Sequence, residues 1–419
     1  MSLKKSLAAM VLFIVLAVPS VSFAEGFGVY EWSPAGVAMG DNYMFGENDP
    51  SVLGYNPAAI TKLDGSYFSI GTTWVNPANN TTFSGLGPLN TGKNTEWTNS
   101  YSPAILPSMF YATKAGENSW WGIAIYSRYG NQIEYDKSWP GRYDTTYSGI
   151  KGVTVQPTYA WKMSPKLSAA VGVDINYMGL IMEKTLPMHK YGLGDVQMKL
   201  DGTSIRVGGI FSLMYDFNEN TSAALLYRTK IKHTMDADTT FSNPGVKNGT
   251  ASGTVTLPDS ATFGLGHKFN GGKTRVEFDA TWTNWATYDA LVMAFDNALG
   301  TVRSPKDWKA SWRLGVGIEH KLSDKWSVLG GYVWEESPVP DNTMDFTVPT
   351  GDRNRLSVGF KYRPNDRSEW AFAYTSIWAG DRLVYSHLPG AANGADYASG
   401  QIHDSRTQLL SLGYTIKLK

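Results

Sequence analysis

Residues 274–282 read TRVEFDATW. Val276, Phe278, Ala280 and Trp282 alternate with Arg275, Glu277, Asp279 and Thr281, and a period of two sends the two sets to opposite faces of one strand. One face is aromatic and aliphatic, and the other carries three charges in succession. A soluble β-sandwich has no reason to set charge so regularly against such a face. In a transmembrane barrel the register is forced, because Arg or Lys facing lipid at the bilayer midplane costs roughly 2–4 kcal/mol. The charged set therefore faces a lumen and the apolar set faces lipid.

The pattern recurs on both sides of this stretch. In LSVGFKYR, Leu356, Val358, Phe360 and Tyr362 oppose Ser357, Gly359, Lys361 and Arg363. In AALLYRTKIK the outward set is Ala223, Leu225, Tyr227, Thr229 and Ile231, with Arg228, Lys230 and Lys232 inward. LSLGYTIKL, near the end of the chain, puts Leu410, Leu412, Tyr414, Ile416 and Leu418 on one face. Runs of this kind predict strands at 66–76, 106–114, 119–129, 152–162, 166–181, 203–217, 221–235, 260–269, 273–285, 311–320, 325–337, 354–363, 368–379 and 407–418. Their even number suits a single-chain outer-membrane barrel. Six connections are tight and turn-rich (AGEN, MSPK, NEN, NGG, LSD, PNDRS), and they alternate strictly with seven longer ones. Short turns at one rim and long loops at the other are the asymmetry of such barrels.

Composition agrees. There are 15 Trp, 23 Tyr, 17 Phe and 43 Gly, only 18% charged residues, and no cysteine. Aromatic girdles at the two membrane interfaces account for the first three. The absence of cysteine excludes disulfides and thiolate metal sites. With 37 basic and 37 acidic residues the chain lacks the basic excess a nucleic-acid binder uses to neutralise phosphate. At the N-terminus Lys4 and Lys5 precede an apolar run from Leu7 to Val18 and then Ser22-Phe23-Ala24, the order of a secretory signal peptide cleaved after Ala24. The run is shorter than the roughly 20 residues a spanning helix needs.

The predicted organisation is thus a signal peptide at 1–24, an N-terminal hatch at 25–65, and an all-β barrel of fourteen antiparallel strands at 66–419. The hatch segment alternates in neither helical nor strand fashion. It is rich in Gly and Pro, yet it carries Phe27, Tyr30, Trp32, Tyr43 and Phe45, which are too aromatic for a solvated tail. A fourteen-stranded lumen leaves space for such an insert.

EGFGVYEWSPAGVAMGDN (25–42), with Asn56-Pro57-Ala58, resembles the opening and hatch of the long-chain fatty acid and hydrocarbon outer-membrane transporters of the FadL/TodX type. IEYDKSWPGRY (133–143), YRTKIKHT (227–234), LPDSATFGLGHKF (257–269), TWTNWATYDALVMAFDN (281–297), WKASWRLGVGIEHKL (308–322), ESPVPDNTMDFTVPTGDRNRLSVG (336–359) and FAYTSIW (372–378) resemble family segments in the same order. The resemblance implies a monomeric fourteen-stranded barrel with an N-terminal hatch in its lumen. Such a barrel captures hydrophobic cargo among the outer loops, passes it to a deeper site, and releases it as the hatch shifts. It would sit in the outer membrane of a Gram-negative bacterium, placed there by the barrel assembly machinery and bordered by lipid and lipopolysaccharide. Unlike most chains of that compartment, this one finishes on Leu418-Lys419 rather than on an aromatic residue.

Residue by residue, the resemblance assigns Asn56, Pro57 and Ala58 to the hatch motif and Phe27 to the neighbourhood of the deep site. Glu335 corresponds to an acidic residue lining the lumen. The basic partner of a cargo carboxylate falls at Lys184, in NYMGLIMEKT, with a second cation among Arg303, Lys306 and Lys309, of which Lys309 is taken. A kink in the third strand, opening the wall, falls in IYSRYGNQ (125–132), with Gly130 as the bending residue. No phosphate loop, zinc-binding His-Glu-x-x-His or Gly-x-Ser-x-Gly elbow is present, and the six histidines lack ligand spacing. The chain is expected to be no enzyme and to need no cofactor or metal. Three functions stay open: fatty acid uptake, uptake of an aromatic or alkane hydrocarbon, and surface adhesion through the long loops.

Overall fold

A strand with one charged and one apolar face is stable in a membrane only if both of its edges are paired. A computed structural model describes residues 26–100, 103–297, 299–386 and 398–418; the expected signal peptide lies outside them. Among the described residues fourteen wall strands follow one another: β1 (Ser66–Leu86), β2 (Ala104–Lys114), β3 (Ser119–Glu134), β4 (Tyr147–Lys162), β5 (Leu167–Pro187), β6 (Asp195–Asp216), β7 (Thr221–Arg228), β8 (Ser260–Phe269), β9 (Thr274–Thr283), β10 (Ser311–Lys321), β11 (Trp326–Glu335), β12 (Arg353–Asn365), β13 (Ser368–Ala379) and β14 (Ala398–Lys417). Each pairs antiparallel with the next, and β14 pairs with β1 to close the barrel. The faces follow the predicted register. Phe278, Leu356, Val358, Phe360, Leu410 and Leu412 are exposed on the outer surface, while Arg275, Glu277, Asp279, Arg355 and Lys361 are buried inside.

Several strands run well past the roughly 9–11 residues a bilayer requires, β5, β6 and β14 by about twofold. Their extensions rise at the loop end, where two hairpins continue the sheet: Ile231–Phe241 with Gly249–Leu257, and Ala290–Phe295 with Thr301–Pro305.

One predicted strand is divided. The run 221–235 breaks after Arg228, and the pairing along β6 moves by one residue between Ile210↔Arg228 and Gly202↔Ala237. A one-residue slip exchanges the faces. Ile231 is consequently buried, and Lys230 and Lys232 are exposed, the reverse of the sequence expectation. Thr229 caps the break: its N–H donates to the Gly209 carbonyl at 3.0 Å, and its hydroxyl accepts from the Gly209 N–H at 2.8 Å.

Residues 26–65 fold inside the wall. Two short helices, α1 (Pro34–Ala38) and α2 (Val52–Tyr55), and a 3₁₀ turn (Pro57–Lys62) are joined by irregular chain. Ser33 caps α1, accepting from the Gly36 N–H at 3.1 Å, and Pro34 opens it, a favoured start that needs no donor at that position. Helices this short are not stable alone. Their order comes from burial among Trp32, Val37, Met39, Tyr43, Leu53, Tyr55 and Ile60.

Candidate functional site

The wall is shaped to receive the inner segment. Glycines on its lumen face stand where the segment presses closest: a Cβ at Gly71 or Gly413 would meet Pro34, at Gly122 Leu53, at Gly264 Met44, at Gly266 Phe45, and at Gly359 Ala38. At Gly331 it would fall on the Met39 and Gly40 backbone, which has no way to yield. Charge then fastens what the glycines admit. Arg355 pairs with Glu31 and Asp41, Arg313 donates to the Gly40 carbonyl, and Arg275 donates to the Phe45 carbonyl. Glu335 is fully buried between Arg313, at 3.2 Å, and Arg353, at 2.5 Å. It does line the lumen, but both of its oxygens are engaged by arginines, so it belongs to the fastening rather than to an open head-group position.

Asn56, Pro57 and Ala58 form a second fastening. The Asn56 side-chain amide donates to the Met44 carbonyl at 2.9 Å, and its oxygen accepts from the Ser212 hydroxyl of β6 at 2.7 Å. The same hydroxyl accepts from the Ala58 N–H at 3.3 Å. Pro57 starts the 3₁₀ turn. Every polar group of this knot is buried, and leaving one of them without its partner costs about 1–3 kcal/mol.

The wall opens beside the start of the inner segment. β2 pairs with β3 only from Met109↔Ile125 to Lys114↔Trp120, and Ala104–Ser108 pair with β1 alone. Beyond Ile125 the third strand bends inward: its pairing with β4 slips by one residue between Tyr126 and Tyr129, and residues 124–131 are buried without alternation. The bend is therefore a bulge at Ser127-Arg128. Gly130, the residue expected to bend, is regularly paired with Lys151. In place of β2, β3 takes the inner segment as its neighbour: the Val29 N–H donates to the Arg128 carbonyl at 2.8 Å, and the Gly130 N–H donates to the Phe27 carbonyl at 2.9 Å. Val29 joins Leu106, Met109, Ile125 and Val153 in a small apolar cluster.

Phe27 is 1% exposed and is ringed by Trp285, Tyr288, Trp308 and Tyr129, with ring centroids at 4.7, 5.7, 5.8 and 6.1 Å. Gly26, at φ +66, lies against Trp308 and Trp285, where a side chain would find neither space nor a relaxed backbone. This aromatic group is continuous with an apolar layer under the loops that includes Trp139, Leu200, Leu291, Met293 and Phe346.

Within that layer is a cavity of about 120 Å³ lined by Met182, Leu186, Met198, Leu200, Leu291 and Met293, with Lys184, Lys306, Asp144 and Asp345 as its polar wall. Lys306 pairs with Asp345 and approaches the Thr347 hydroxyl at 3.4 Å. Lys184 has no carboxylate within 4.0 Å among the described residues. Burial and the nearby Asp345 carboxylate push Asp144 up to about 7, against the pull of Lys306, of the Phe346 N–H at 2.8 Å and of Lys184. Burial alone would raise Asp345 as well, but Lys306 holds it below the ordinary carboxylate range. Of the three competing cations, Lys306 lines the cavity; Arg303 is paired with Asp289 at 3.0 Å in solvent, and Lys309 is exposed. The side chain expected at Lys309 is thus replaced by the one a turn earlier in the same loop, because Lys306 and Trp308 point inward while Asp307 and Lys309 point out.

Sequence reasoning did not select Trp285, Tyr288, Trp308, Asp144 or Asp345. The tryptophans did leave a signal: NWATY and DWKA place large aromatics in connections that solvent would otherwise keep polar.

A closed antiparallel wall with a lipid-facing apolar surface, a plugged lumen and an apolar cavity beneath its loops defines an outer-membrane transport barrel. The comparisons agree. Residues 15–416 match the family described as outer membrane protein transport protein (OMPP1/FadL/TodX), and the chain belongs to that family. It is 24% identical over 395 residues to the long-chain fatty acid transport protein of Escherichia coli (strain K12), covering 84% of this chain and 87% of that one. Its fold is similar to a Pseudomonas aeruginosa FadL homologue, with a TM-score of 0.84 at 18% identity over 94% of this chain and 100% of the other. It is also similar to the Pseudomonas putida toluene transporter TodX, with a TM-score of 0.66 at 16% identity over 94% and 99% of the two chains. The protein is accordingly an outer-membrane β-barrel that moves hydrophobic compounds.

Proposed function

We propose that the cargo is a long-chain fatty acid or a similar amphiphile with an anionic head, taken up passively by a monomer without catalysis. The observation that carries this reading is the cavity's composition: two lysine amines, one of them without a carboxylate within 4.0 Å among the described residues, stand beside Asp144, Glu183 and Asp345 on one side of a pocket otherwise lined mainly by Met, Leu, Val and Phe. Burying an acyl chain there is favoured by about 0.8 kcal/mol per CH₂, enough to gather cargo from dilute solution beyond the lipopolysaccharide layer. The amines give the carboxylate a desolvated counter-charge. A toluene-like cargo would leave both amines unused, which sets the hydrocarbon reading second.

From this cavity the chain would move toward Phe27, and displacement of residues 26–32 from β3 would clear the way to the gap between β2 and β3. Thermal motion and binding suffice for such a shift. The test is equilibrium binding of oleate and of 1-octadecene to the protein in detergent, with Lys184→Ala in parallel. A hydrogen bond to a charged group is worth about 1.5–3 kcal/mol, so oleate should bind about ten- to a hundredfold more weakly to the variant while octadecene is unchanged. Equal affinity for both, insensitive to the substitution, would transfer the assignment to the hydrocarbon reading.

A further inference from the structure

Arg228, the last residue of β7, is 2% exposed. Every other Lys or Arg that is buried among the described residues has a carboxylate within 4.0 Å. The partners of Arg228 are neutral: the Gly54 carbonyl at 2.7 Å, the Gln156 side-chain oxygen at 3.3 Å, the Tyr126 hydroxyl, and the face of Trp32, whose centroid is 5.5 Å away. Its Nε has no hydrogen-bond partner. The carboxylate whose charge acts on it, Asp174, lies beyond 4.0 Å and is bound by Arg128 through one oxygen at 2.5 Å, its other oxygen having no hydrogen-bond partner. A buried charge left without a counter-charge is costly, and a wall that neutralises all its other buried cations leaves this one open.

The guanidinium borders a cavity of about 20 Å³, lined also by Tyr129, Trp285, Thr262, Thr281 and Thr283. Tyr129 and Trp285 are two of the four rings around Phe27, so this space begins where the aromatic group ends. The Thr283 hydroxyl has no partner. At this size the cavity accommodates a water. Its wall is completed by Arg128, Leu226 and Ser260 of the barrel and by Gly28, Val29, Tyr30 and Trp32, the part of the inner segment whose displacement would enlarge it.

We propose that Arg228 is a second, transient anion site, which receives the carboxylate of the cargo after it leaves Lys184 and while the acyl chain passes Phe27. A head group drawn from a desolvated amine into an aromatic layer would otherwise lose its counter-charge, and a guanidinium with adjacent hydroxyls supplies a new one. The proposal rests on the fatty acid reading, and its test is separable from that one.

The experiment measures uptake of oleate and of 1-octadecene by cells carrying the full protein as their only such transporter, for wild type, Arg228→Gln and Arg228→Lys. Oleate affinity in detergent is measured alongside. Arg228→Gln should lower oleate uptake tenfold or more, with octadecene uptake and oleate affinity at the outer cavity unchanged, and Arg228→Lys should restore most of the loss. Should Arg228→Gln fail to reach the folded, heat-modifiable barrel, Gln156→Glu gives Arg228 the missing carboxylate and should impair oleate selectively in the same way. Equal loss for both cargoes would make Arg228 merely a tie to Gly54, and unchanged oleate uptake would remove it from the path; either result overturns the proposal. Failure of the fatty acid reading would appear separately, as wild-type oleate binding that Lys184→Ala does not weaken.

Discussion

Asp144 is the residue on which the pH behaviour of the outer cavity turns. Around it stand Asp345, Glu183, Lys306 and Lys184. With its carboxyl raised to about 7, Asp144 is mostly neutral at pH 6 and ionised at pH 8. The rise in pH adds one negative charge to a wall that holds both lysines and two other carboxylates. Affinity for a permanently charged probe such as dodecyl sulfate should therefore fall several-fold between pH 6 and pH 8, and Asp144→Asn should flatten the profile. A wild-type profile already flat would show that Asp144 does not face the head group. Residues of this kind were the least legible in the sequence. Lys184 was reached through the resemblance of one loosely similar strand, and the structure puts it on the cavity wall. Lys306 could not be separated from Lys309, since side-chain direction in an irregular loop is set by what the loop packs against. Arg228 was read correctly as inward, but nothing in YRTKIK reveals that its counter-charge is missing.

At the scale of elements, the account depends on the seat that the wall's glycines make for α1 and the residues after it. Overpacking a well-filled contact costs about 1–3 kcal/mol, and at Gly331 the atoms in the way are the backbone of Met39 and Gly40. Gly331→Val should therefore displace the inner segment while leaving the wall intact. The signature would be raised ion conductance in planar bilayers with a normal heat-modifiable band; a conductance like that of wild type would mean that the seat adapts. Period-two alternation made the strands legible, because lipid on one side and charge on the other allow only one register. The extensions of β1, β5, β6 and β14 past the membrane were missed, since alternation weakens where no bilayer imposes it. Bulges were missed as well: a single extra residue, as at Ser127-Arg128 or at Thr229-Lys230, changes no composition and only shifts the register beyond it. The glycines were visible, but a glycine inside a strand reads as a weak point until the segment it admits is known.

For the whole molecule, wall and inner segment form one ionic and steric unit, with a seam where β3 leaves β2 and takes residues 27–29 in exchange. The barrel and its closure were legible from the sequence; the exchange of neighbours at the seam was not, because it joins residues a hundred positions apart. The central claim is that cargo passes only when the inner segment leaves β3. Gly28 and Tyr129 form an isolated antiparallel bridge flanked by hydrogen bonds from Val29 to Arg128 and from Gly130 to Phe27. That makes them a non-hydrogen-bonded pair, whose Cα separation of about 4.5 Å admits a disulfide. The chain has no cysteine of its own, so Gly28→Cys with Tyr129→Cys introduces one defined cross-link. The decisive measurement is oleate uptake by this variant, oxidised and then reduced. The account predicts oleate still bound but not taken up in the oxidised form, with uptake restored by reductant to the level of the reduced control. Uptake that proceeds undiminished with the disulfide formed would contradict it.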